Sequence, residues 1–129
     1  MAVSVGRPDY EAHARAVRLA FPEVVDGLRD TLGLKLCAYL GSVKETRAVH
    51  EWAEGSREPS EVVQRRLRLA FQVAEAIAAV DGPRVARAWF QGLNPQLDDR
   101  SPARLLREGD IDEVGPEVIA AERAFLVGG

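Results

Sequence analysis

Apolar residues along this chain recur at three- and four-residue steps, and no run of β-branched residues alternates with polar ones. That pattern predicts helices throughout. Asp9 precedes a first helix carrying Tyr10, Ala14, Val17 and Phe21 on one side. Pro22 interrupts, and a second segment runs on to Gly33, a C-terminal stop. Leu34 to Leu40 and Glu45 to Ala53 read as two short helices split by Gly41-Ser42, the second ended by Glu54-Gly55. Ser60 then caps the longest helix, about 20 residues.

That helix carries one apolar stripe in its first half (Val63, Leu67, Ala70, Phe71, Ala74, Ile77) and gains a second from Leu69 onward (Val73, Ala76, Val80). A helix apolar on two faces is covered on two sides, so its second half is expected to be the spine of the C-terminal part. Asp81-Gly82-Pro83 is a stop followed by a start, and Pro83 to Gln91 makes a short helix burying Val85, Ala88 and Trp89. Ser101-Pro102 starts another, because a side-chain oxygen caps it and a proline costs nothing in the first turn. The remainder spaces Ile111, Val114, Val118, Ala121 and Phe125 as one stripe, with Gly115-Pro116 expected to start the last helix. The fold class is therefore all-α, with residues 1–69 and 70–129 as two halves joined by the long central helix.

Composition changes the picture in three places. With 129 residues, 47% hydrophobic and 29% charged, the chain is an ordinary globular one able to bury a modest core. The net charge of −3 excludes a uniformly basic surface, yet the sign is unevenly spread. Residues 35–68 carry seven Lys/Arg against five Glu, whereas residues 70–129 carry six Arg against ten acids, which points to different partners for the two halves. The single cysteine, Cys37, lies in an apolar run and reads as a buried, inert thiol. Two histidines form no metal-ligand cluster, and no stretch is long and apolar enough to span a membrane. A reduced cytoplasm is the expected setting.

The stretch LCAYLGSVKETRAVHEWAEGSREPS, residues 36–60, holds two short helices that meet at a glycine turn. Leu36, Leu40, Val43, Val49 and Trp52 can lock the pair together while polar residues face out, as a helix-turn-helix requires. It resembles the DNA-binding domain of Xre/Cro-like regulators, in which a recognition helix ends in a tryptophan followed by a GxRxP loop, here Gly55-Ser56-Arg57-Glu58-Pro59. The resemblance implies that Trp52 is core, that Thr46, Arg47 and His50 face the major groove, and that Lys44 and Arg57 contact phosphates. Gly41 to Trp52 is longer than in that pattern, and Glu45, Glu51 and Glu54 set negative charge beside these cations. Without the resemblance, the same residues read as a helical hairpin with a charged, solvated face.

The segment AWFQGLNPQLDDRSPARLLREGDIDEV resembles the C-terminal domain of Xre/MbcA/ParS-type antitoxins. The resemblance implies a small, all-helical homodimer that binds double-stranded operator DNA. It also implies a partner toxin that consumes NAD or ADP-ribosylates targets, reached by the C-terminal residues Phe125, Leu126, Val127, Gly128 and Gly129. Read as residues alone, Asn94-Pro95 is a turn, Leu93 and Leu97 pin the loop to the core, and Asp98 and Asp99 satisfy loop N–H groups or the start of the next helix. Adjacent carboxylates without further ligands make a poor metal site, and there is no phosphate loop or nucleophile elbow. The chain reads as a binding protein with no catalytic residues and no cofactor. Two alternatives stay open: a stand-alone Xre-family transcription factor whose C-terminal half only dimerises, or a protein-interaction adaptor that binds no DNA.

Overall fold

A computed structural model describes residues 8–128. Among these are eight α-helices and no strand: α1 (Pro8–Arg18), α2 (Phe21–Leu32), α3 (Leu34–Leu40), α4 (Thr46–Glu54), α5 (Glu61–Asp81), α6 (Pro83–Gln91), α7 (Pro102–Glu108) and α8 (Ile111–Leu126). A single 3-10 turn, Pro95–Leu97, lies between α6 and α7. The boundaries follow local chemistry. Gly33, Gly55 and Gly82 take positive φ of 88°, 80° and 92° where helices end, a region open to glycine without steric cost. Ser60, Ser101 and Asp110 cap α5, α7 and α8, their side chains accepting from the N–H groups of Val63, Arg104 and Asp112.

The spine is α5. Its buried residues Leu67, Ala70, Phe71, Val73, Ala74, Ala76 and Ile77 lie on more than one face of the helix. It packs on α1, α2, α6 and α8. Val80, 53% exposed, falls beyond that cover. One apolar cluster runs from Ala16 to Ala121, so both halves of the chain share a core. Each large side chain removed from water there contributes about 1.5–3 kcal/mol before entropy is subtracted.

Three expectations are corrected. In α1 the inward residues are Ala12 and Ala16, while Tyr10 and Val17 are 73% and 69% exposed. Alanines let the α1 backbone lie close to α5, and that choice of face turns the larger residues outward. In α6 the buried residues are Ala86, Trp89 and Phe90, whereas Val85 and Ala88 are exposed. And α8 does not begin at Pro116: it starts at Ile111 and runs through the proline. Pro116 forfeits one hydrogen bond, to the Asp112 carbonyl, near the helix start. Gly115 beside it faces Leu69, whose Cδ1 would stand 2.9 Å from a Cβ at that position. The Gly-Pro pair thus marks a close helix approach, not a helix start.

Candidate nucleic-acid interface and partner groove

The helices α3 and α4 meet at a turn whose geometry rests on Gly41, Ser42, Trp52 and Arg66. Gly41 has an ordinary φ of −81°, so its value lies in size: a Cβ there would stand 2.6 Å from the ring of Trp52. Trp52 itself is buried, as expected of a core residue. The left-handed residue of the turn is Ser42, with φ 59°. Arg66 on α5, buried at 8% exposure, donates from one guanidinium nitrogen to the Leu40 carbonyl at 3.0 Å and to Ser42 Oγ at 3.2 Å. A cation on the last carbonyls of α3 is favoured by the helix dipole. Burial, and then the nearby Arg107, hold the Arg66 pKa below its ordinary value. Arg66 belonged to the basic half by sequence; in the structure it buttresses the turn.

On the outer face of this pair, Lys44, Arg47, His50 and Arg57 are exposed and Thr46 is half-buried at the first position of α4. The Arg47 side chain is 84% exposed, with its Nε 3.3 Å from Glu51 Oε2. Arg57 reaches the other oxygen of the same carboxylate at 3.2 Å. Glu51 therefore neutralises part of the charge of both arginines. His50 Nδ1 accepts a hydrogen bond from Arg29 on α2 at 3.2 Å. Arg29, itself ion-paired with Asp26 at 2.5 Å, is a residue of this face that helical spacing within residues 36–60 had no means of revealing.

The C-terminal residues lie beside a different feature. An open, mainly apolar groove of about 450 Å³ runs between α6 and α8, lined by Val85, Ala88, Trp89, Leu93, Pro95 and Phe125 among others. The Phe125 ring stands 6.4 Å from that of Trp89, tilted by 51°. Phe125 and Leu126 are half-buried against the core, Val127 is 86% exposed and Gly128 is exposed. Gly129 lies outside the described residues. Leu93 does not pin the loop as expected: it is 75% exposed at the rim of the groove, while Leu97 is buried.

Backbone bonds close the loop instead. The Asn94 carbonyl accepts from the N–H groups of Leu97 and Asp99, each at 2.9 Å, and the Asn94 N–H donates to the Arg100 carbonyl at 3.1 Å. Asp98 and Asp99 both take the left-handed conformation, φ 56° and 61°, which short polar side chains tolerate best after glycine. Neither caps α7, a role filled by Ser101, and the Asp98 side chain is 94% exposed. Among the described residues no group of three or more His, Cys, Asp or Glu side chains is placed to hold a metal ion.

Comparison with known proteins adds a relationship to this geometry. Over 92 residues the chain is 32% identical to the mycobacterial cidal antitoxin MbcA of Mycobacterium bovis, covering 70% of this chain and 80% of that protein. The same identity and coverage hold for MbcA of two Mycobacterium tuberculosis strains. The chain belongs to the MbcA antitoxin family. No family model matches it, and no solved structure matches it.

In this MbcA-family chain Cys37 is 1% exposed, and burial pushes its thiol up to about 12, far from the thiolate that chemistry would need. No helix among the described residues is long and apolar enough to cross a membrane.

Proposed function

We propose that this protein is the antitoxin of a toxin–antitoxin pair, that it binds its own operator, and that it has no enzymatic activity. Membership of the MbcA family carries the antitoxin half of this reading. The groove between α6 and α8 supports it physically. Exposed Leu93 and Val85 line it together with Phe125 of the C-terminal end, and apolar patches on soluble proteins mark partner surfaces. Phe125, Leu126, Val127, Gly128 and Gly129 are the proposed partner-binding residues. By resemblance, the partner is a toxin that consumes NAD or ADP-ribosylates targets.

The nucleic-acid half rests on the exposed row of Lys44, Arg47, His50 and Arg57 on a helix-turn-helix pair stiffened from behind by Arg66. Residues 1–69 are proposed to hold double-stranded DNA. Residues 70–129 are proposed to hold the toxin and the second subunit of a homodimer in the cytoplasm. Arg47 is the candidate for base-edge contact, so Arg47→Ala is expected to weaken binding to promoter DNA by about 1–3 kcal/mol.

A stand-alone regulator would use the same apolar groove to dimerise. Co-expression with the neighbouring gene product separates the two readings. An antitoxin co-purifies with that product and abolishes its activity, whereas purification alone, with no rescue of growth, refutes the antitoxin role. Absence of any duplex binding at low salt would favour the adaptor.

A further inference from the structure

Most exposed arginines of this protein sit on a carboxylate: Arg15 on Glu75, Arg65 on Asp112, Arg104 on Glu108 and Arg123 on Asp9. One recess is different. Lys35 at the start of α3, Lys44 in the turn and Arg107 in the last turn of α7 all line a pocket around Tyr39, and among the described residues no carboxylate is ion-paired with any of the three. Glu45 is the acid on its wall.

Arg107 is held in place. Its guanidinium carbon lies 4.5 Å from the centre of the Tyr39 ring, and one nitrogen donates to the Tyr39 carbonyl at 3.0 Å. A guanidinium has five N–H donors, and this arrangement occupies one nitrogen while fixing the plane of the rest. Stacking on an aromatic face and donating to an anion are compatible uses of the group. With Glu45 as the one acid of the lining beside Lys35, Lys44 and Arg107, the recess carries an excess of positive charge that a bound anion would offset.

The recess is also continuous with the surface in front of α4, since both are lined by Val43, Lys44, Glu45 and Arg47. A duplex seated on α4 would carry its backbone past this point. We propose that Lys35, Tyr39, Lys44 and Arg107 form a phosphate-binding site for the DNA backbone, so that α7, in the C-terminal half, takes part in holding DNA. The proposal rests on the DNA-binding reading of the α3–α4 pair and extends it to a residue that no helix-turn-helix pattern contains. A phosphate contact positions the duplex without reading sequence. Losing it weakens binding to every duplex alike and flattens the salt dependence.

The test is fluorescence anisotropy with the full chain on promoter DNA and on an unrelated duplex, from 50 to 200 mM salt, for the wild type, Arg47→Ala, Lys35→Gln, Arg107→Gln and Arg107→Lys. Each Gln variant is expected to bind both duplexes about three- to tenfold more weakly, with the log–log salt slope reduced by about one. Arg107→Lys keeps the charge and should keep the slope. Lys35→Gln replaces an exposed side chain, so thermal melting should leave its fold unchanged.

If the wild type binds duplex and Arg47→Ala weakens it while the Gln variants match the wild type, this proposal alone is overturned. Loss of affinity for promoter DNA only, with the slope intact, overturns it too. A wild type that binds no duplex overturns both this site and the DNA-binding reading beneath it.

Discussion

Glu122 is the sharpest place to perturb the core. It lies on α8 with 0% exposure, and neither carboxylate oxygen has a hydrogen-bond partner. Its carboxyl is pushed up from an ordinary 4.5 to about 7, chiefly by burial and then by the Asp9 carboxylate, with the Arg123 guanidinium acting the other way. Arg123 is itself ion-paired with Asp9, at 3.1 Å, so much of its attraction is spent there. The folded state therefore binds the proton more tightly than the unfolded chain. Stability contributed by the neutral acid is fully present below pH 4.5, falls as pH rises through the interval up to about 7, and is lost above it.

At 1.36 kcal/mol per pKa unit, the penalty at pH 8 is about 3 kcal/mol. That is a large share of the roughly 5–15 kcal/mol that stabilises a domain. Glu122→Gln keeps the shape of the neutral acid and cannot ionise. Urea unfolding of both proteins at pH 5, 6, 7 and 8 is expected to show the variant gaining about 2–3 kcal/mol over the wild type across that range. Using the difference between the two proteins removes the titration of every other carboxylate. Parallel curves, with a gap independent of pH, would refute the idea that Glu122 is buried and ionises near neutrality.

Other outcomes follow from the α3–α4 unit. Arg66→Met fills the same volume but leaves the Leu40 carbonyl and Ser42 Oγ without their charged donor; denaturant melts are expected to show a loss of about 2 kcal/mol, and an unchanged midpoint would deny Arg66 its supporting role. Glu51→Gln releases Arg47 and Arg57 from their shared carboxylate. Duplex affinity should rise by about three- to tenfold, with a steeper salt dependence. A fall in affinity would mean instead that Glu51 orients the two arginines for contact.

Most helix ends of this protein are written locally. Gly33, Gly55 and Gly82 stop helices, and Ser60 and Ser101 start them, because caps and left-handed residues act over three or four positions and need no tertiary partner. The spine character of α5 was legible for a related reason: a helix apolar on two faces has to be covered twice. The DNA-contact roles proposed for Lys44, Thr46, Arg47, His50 and Arg57 rest instead on the resemblance to Xre/Cro-like regulators, since spacing and charge alone read equally as a solvated helical hairpin.

What spacing left undetermined is which of several apolar faces turns inward. In α1 and α6 the alanines Ala12, Ala16 and Ala86 won over Tyr10, Val17 and Val85. Close backbone approach to a neighbouring helix rewards small residues in a way that hydrophobicity alone does not register. The same holds for Gly115-Pro116, which reads as a start signal until Leu69 is found against it. Charge followed the same rule. Composition counted Arg66, Arg107 and Glu122 simply as charges. Only the packing of α5, α7 and α8 made the first a buttress for a turn, placed the second beside Tyr39, and stripped the third of water. Local sequence determined where helices begin and end, because those signals are short-ranged. Tertiary structure decided which side chains meet, because burial and Coulomb energy depend on distances that the order of residues does not contain.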